Sequence, residues 1–134
     1  MNGRIAILEE DANLSGLFHE MLELEGYEPV VLPLTPEVLT RLQECEPDAL
    51  ILDIRLKPWD ARWALLKQIR NHETLRNTPV VLSTADPDRR QNHRPAPSRA
   101  TCQMLFMPFG LKELSGVIKA CLAGGWRDSA AVAV

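Results

Sequence analysis

From residue 4 to residue 122, short apolar runs alternate with stretches whose apolar residues recur every three to four positions. A chain so patterned buries both kinds of segment by laying the runs side by side as a parallel sheet and packing the helices on its two faces. Arg4-Ile5-Ala6-Ile7-Leu8 reads as a first buried strand. Leu14, Leu17, Phe18, Met21 and Leu22 then form the inward stripe of a helix that Gly26 stops. Glu28 to Leu32 reads as a second strand, and Thr35-Pro36 reads as an N-cap with proline in the first turn of a helix that carries Val38, Leu39, Leu42 and Cys45 inward. A third strand, Asp48 to Asp53, is followed by a helix from about Trp59 to His72 with Ala61, Leu65, Leu66 and Ile69 inward. Thr78 to Thr84 and Met104 to Met107 read as strands four and five, and Leu111, Leu114, Val117, Ile118 and Cys121 as the inward face of a last helix.

The stretch Asp86 to Thr101 breaks the alternation, with Pro87, Pro95 and Pro97 among Arg89, Arg90, Arg94 and Arg99. Proline inside a helix costs roughly 3 kcal/mol, so the expected helix there is short or disordered. The arginines read as a solvated loop. Residues 123–134 show no periodicity and read as a mobile tail beyond one domain spanning 1–122. The 134 residues suit a single core, and a formal net charge of -3 offers no basic field for a phosphate backbone, so nucleic acid is not expected as a direct partner. The apolar run at the amino terminus is too brief for a signal core or a membrane span, and a cytoplasmic protein is expected. Cys45, Cys102 and Cys121 form no CxxC pair and read as buried free thiols.

In an open parallel α/β sheet, sites form outside the carboxyl ends of the strands. Here those ends carry Glu9-Glu10-Asp11, Asp53, Ser83-Thr84-Ala85 and Met107-Pro108-Phe109. Carboxylates gathered at one edge repel, and a divalent cation relieves them. Magnesium takes oxygen ligands and often uses one or two carboxylates plus phosphate oxygens, a set that Glu10 and Asp53 supply. A carboxylate can also accept a phosphoryl group, which makes Asp53 the candidate nucleophile. Asp11 reads as a helix cap. His19, His72 and His93 are assigned no catalytic part, and Trp59 and Trp63 read as packing residues close to Asp53.

Four segments, Arg4-Ile5-Ala6-Ile7-Leu8-Glu9-Glu10-Asp11, Pro47-Asp48-Ala49-Leu50-Ile51-Leu52-Asp53, Pro79-Val80-Val81-Leu82-Ser83-Thr84-Ala85 and Met107-Pro108-Phe109, stand in order and at suitable spacing. Together they resemble the landmarks of response-regulator receiver domains of two-component systems, over about Arg4 to Leu122. The resemblance implies a flavodoxin-like (βα)5 fold with strand order 2-1-3-4-5. It implies phosphorylation at Asp53, a magnesium ion held by Glu10, Asp53 and the backbone carbonyl of Arg55, and Glu9 acting through water. It further implies that Thr84 contacts the phosphoryl group and moves on activation, with Ala85 leaving room beside it. The implied donor is a histidine kinase or phosphotransfer protein, and the implied output is a downstream partner protein. Homodimerisation stays open.

The chain also departs from that pattern. Glu9-Glu10 stands where the family usually has Asp-Asp or Glu-Asp, which lengthens the metal-facing side chain. Met107 stands where the family has a lysine that pairs with the acidic cluster and contacts the phosphoryl group. Met104 occupies the position of the aromatic switch residue, while the resemblance carries a cis bond over to Met107-Pro108. Two readings follow. One is a phosphorylation-driven switch without an output domain in this chain, a phosphoryl acceptor with no enzyme activity of its own. The other is a pseudo-receiver that binds partners without phosphorylation. An enzyme of another class fares worse, because phosphatases with a strand-end aspartate place a second acid two residues on, where Arg55 stands.

Overall fold

The computed structural model describes residues 3–53, 60–84 and 102–123, with side chains left undescribed at 60–63, 84 and 102. Among the described residues, five strands and four helices follow one another: β1 (Arg4–Leu8), α1 (Ala12–Leu24), β2 (Glu28–Val31), α2 (Val38–Cys45), β3 (Ala49–Asp53), α3 (Asp60–Asn71), β4 (Val80–Thr84), β5 (Cys102–Phe106) and α4 (Leu111–Leu122). The strands form one sheet in the order β2-β1-β3-β4-β5, every neighbouring pair parallel, which is the order the resemblance implied. The short or disordered helix expected before β5 and the mobile tail fall on residues 85–101 and 124–134, outside the described ones.

Alternation along the strands divides the core in two. Ala6, Leu8, Leu50, Leu52, Val80 and Leu82 pack against Val38 and Leu42 of α2 and Leu65, Leu66 and Ile69 of α3. Ile5, Ile7, Ala49, Ile51, Val81 and Leu105 pack against Phe18 and Leu22 of α1 and Leu114, Ile118 and Cys121 of α4. Each central strand is therefore apolar on both faces, as buried parallel strands must be, and every β3 residue from Ala49 to Asp53 is buried. Full burial of one such aliphatic side chain is worth about 1.5–3 kcal/mol, so the two layers supply the main driving force.

Local signals place the helix ends. Asp11 caps α1, its carboxylate accepting the amides of Asn13 at 2.8 Å and Leu14 at 3.2 Å. At the other end Gly26 takes a φ of 87°, and the amides of Tyr27 and Gly26 reach back to the carbonyls of Leu22 and Glu23, both at 3.0 Å. This reciprocal pair satisfies the last carbonyls and needs a residue without Cβ strain at the left-handed position. Across the amino edge of the sheet, Arg4 ties three elements: its side chain donates to Glu28 of β2 and to the carbonyl of Cys45 in α2, and its amide donates to Asp48 before β3.

Four sequence expectations need correction. Leu17 is 42% exposed, because it lies at the rim of the α1 stripe whose centre is Phe18 and Leu22. The helix α2 starts at Val38 after Glu37, and Thr35 closes the preceding turn through its carbonyl, which accepts the Val38 amide at 3.0 Å, with no cap from its side chain. Strand β5 starts two residues before Met104 and ends at Phe106, paired with Thr84. Cys45 is only half-buried, at the end of α2, while Cys121 is buried. No described helix is long and apolar enough to cross a membrane.

Candidate functional site

Three neighbouring strands deliver polar groups to one edge. The register pairs Leu8 of β1 with Leu52 of β3, so Glu9, one residue on, stands level with Asp53. Both are buried, each 6% exposed, at the mouth of an otherwise apolar sheet. Glu9 is held in place: its Oε2 accepts the Asp11 amide at 3.0 Å, so the chain turns directly from β1 into the capped start of α1. Glu10 lies in that turn and is exposed. The sequence thus brings one acid inward and one outward at the end of β1, beside the last residue of β3.

Asp53 pairs in register with Ser83 of β4. Strand residues two apart share a face, so Asp53 continues the side of Ala49 and Ile51 and Ser83 the side of Val81, facing the α1 and α4 layer. Ser83 is fully buried, and its hydroxyl donates to the sulfur of Met107 at 3.8 Å. Met107 is half-buried and precedes a cis peptide bond to Pro108, as expected. Beyond it, Phe109 stacks on Phe18 of α1 with ring centroids 5.2 Å apart, which fixes the β5–α4 turn against the core. The Gly110 amide then donates to Glu113 at 2.9 Å and opens α4.

The other expected residues are distributed as follows. Thr84 closes β4 at the same edge. Met104 is half-buried on the opposite face, against the α2 and α3 layer. Arg55 and Ala85 lie outside the described residues, as does Trp59. Among the described residues, no group of three or more His, Cys, Asp and Glu side chains stands at metal-holding distance, so Glu9, Glu10 and Asp53 do not form a ready-made cage. What the edge offers is carboxylate oxygen, one exposed group from Glu10 in the turn and a buried one from Asp53 at the strand end. That chemistry fits magnesium, which keeps several waters and needs few protein ligands. Sequence reasoning missed Ser83. Counting by two from Val81 gives its face of β4, but only the register between β3 and β4 sets it beside Asp53.

Away from this edge, burial raises the Tyr27 hydroxyl above its ordinary range and does the same to the Cys45 thiol, and the hydrogen bond that Arg4 donates to Glu28 raises the Arg4 guanidinium.

No family model matches the chain. Over 119 residues it is 32% identical to the phosphate regulon transcriptional regulatory protein PhoB of Rhizobium meliloti, a match covering 89% of this chain and 52% of that protein. The chain thus spans about half the length of such relatives. It is 31% identical over 85 residues to the polar-differentiation response regulator DivK of Brucella ovis, covering 63% of this chain and 68% of that protein. Among solved structures, it is similar to a response regulator from Chloroflexus aurantiacus, with a TM-score of 0.76, 28% identity, and coverage of 90% of this chain and 98% of that one.

Proposed function

The chain belongs to the receiver-domain family of two-component response regulators, and on that premise we propose that Asp53 accepts a phosphoryl group from a histidine kinase or phosphotransfer protein. The observation that carries this reading is the placement of Asp53: buried at the end of the central strand, level with Glu9 and in register with a hydroxyl on β4. An Asp53 carboxylate oxygen forms the new bond to phosphorus as the bond to the donor's imidazole nitrogen breaks, and that nitrogen leaves with the electron pair. The product is an acyl phosphate on Asp53, which passes its state to a downstream protein partner.

Glu10 and Asp53 are the side chains that would hold magnesium, with Glu9 acting through water and the Arg55 carbonyl completing the protein ligands. When bound, the ion neutralises charge on the transferring oxygens. Glu9, tied to the Asp11 amide, keeps the β1–α1 turn in place so that Glu10 stays at the edge. Thr84 and Ala85 take the phosphoryl-contacting and space-leaving roles.

A second reading is supported by one feature, the thioether of Met107 at the edge where the family carries an ammonium. A thioether supplies no positive charge, and a phosphorylation-independent binding module would tolerate it. The two readings separate on intact-mass measurement after incubation with magnesium and a small-molecule phosphodonor. A single phosphoryl adduct that disappears in Asp53→Asn is expected. An unmodified wild-type protein would favour the binding module.

A further inference from the structure

Resting on the reading of Asp53 as phosphoacceptor, we propose that Ser83 is a phosphoryl-contacting residue, a neutral donor at the place where the missing cation would have worked. Three observations on adjacent strands meet here. Asp53 and Ser83 are direct register partners, and neighbouring strands run about 4.8 Å apart, so their side chains leave the same face side by side. Both are buried, at 6% and 0% exposure, so a bond between them forms with little competition from water. The Ser83 hydroxyl at present donates to Met107 sulfur at 3.8 Å, which is among the weakest acceptors a protein contains.

A buried serine at this point needs a reason. Apart from Asp53, its neighbours on the same face are apolar, namely Ile51, Val81 and Leu105, and an aliphatic residue would fill the space without desolvating a hydroxyl. The cost is recovered when the hydroxyl finds an anionic acceptor, because charge-assisted hydrogen bonds are shorter and roughly twice as strong as neutral ones. At rest the hydroxyl donates to Met107 sulfur, and phosphorylation of Asp53 adds phosphoryl oxygens as such acceptors one strand away. The hydroxyl then rotates about its Cα–Cβ bond from the sulfur to an oxygen of the acyl phosphate. Met107 serves as the resting acceptor that holds Ser83 in the site without competing for it.

The test measures the rate of adduct formation at Asp53 with magnesium and a small-molecule phosphodonor. The proteins are wild type, Ser83→Ala and Ser83→Cys, each checked by its urea unfolding midpoint. A hydrogen bond to a charged group corresponds to about tenfold or more in rate, so both variants are expected to label at least about tenfold more slowly than wild type. The cysteine variant retains the side-chain volume and replaces the hydroxyl by a weak donor, so it stands even where the alanine variant fails to fold. Labelling of Ser83→Cys at the wild-type rate would overturn the inference, since a slow Ser83→Ala alone would then report packing. Wild-type protein that takes no label would overturn the phosphoacceptor reading, and the role of Ser83 with it.

Discussion

Met107 follows the last residue of β5 and sets a half-buried thioether, not a cation, at the acidic edge. A transferring phosphoryl group brings negative charge to an edge that already carries Glu9, Glu10 and Asp53, and a thioether returns none of the cost. Met107→Lys restores an ammonium on a stem of similar length. It is expected to raise the rate of Asp53 labelling by about tenfold or more, the scale of one added bond to a charged group. An unchanged rate in the same mass assay would mean that a cation at this position does not set the rate. At this scale the sequence was informative where a residue acts through its own backbone neighbourhood. Asp11 was legible as a cap because a short acid before a periodic apolar stretch has one local use. Ser83 was not singled out, because its meaning depends on which residue stands across from it on β3, and register is a property of two strands.

Elements were legible to the extent that their ends carry chemical punctuation. The close of α1 is the clearest case, where Gly26 supplies the left-handed residue and Tyr27 folds back to Leu22. Gly26→Ala puts a Cβ at a φ of 87°, which costs about 1–2 kcal/mol. Urea denaturation is expected to show that loss while the labelling rate at Asp53 stays unchanged, since α1 is anchored near the site by Asp11 and by the Phe18–Phe109 stack. A labelling rate that fell in step with stability would instead tie the α1 terminus to the acidic turn. Where punctuation is weak, boundaries moved. Thr35-Pro36 suggested a helix start, yet the amide of Val38 closes on the Thr35 carbonyl and the helix begins only there. The start of β5 follows a run of prolines and arginines that carries no strand signal, and its end is dictated by pairing of Phe106 with Thr84.

For the molecule as a whole, the architecture was legible because both faces of each central strand had to be apolar, and few arrangements besides a doubly wound sheet bury such runs. The strand order came from the family resemblance, since periodicity does not say which runs are neighbours. The wound sheet in turn concentrates acids at one edge, and this has a thermodynamic consequence beyond phosphorylation. Glu9 and Asp53 are buried close to exposed Glu10 in a chain of net charge -3, so folding gathers carboxylates that the unfolded chain keeps apart. A ligand that binds only the folded state stabilises it by RT ln(1 + [L]/Kd), about 1.4 kcal/mol at ten times Kd. For a domain of this size that is an upward shift in Tm of several degrees. Magnesium chloride is expected to produce it, and sodium chloride at matched ionic strength is not, because screening alone acts weakly on buried groups. Asp53→Asn should raise Tm in the absence of magnesium, by removing one member of a like-charged group, and should abolish the magnesium-dependent shift. Equal responses to the two salts in wild type would mean that the edge holds no specific cation, and would separate its acidity from metal binding altogether.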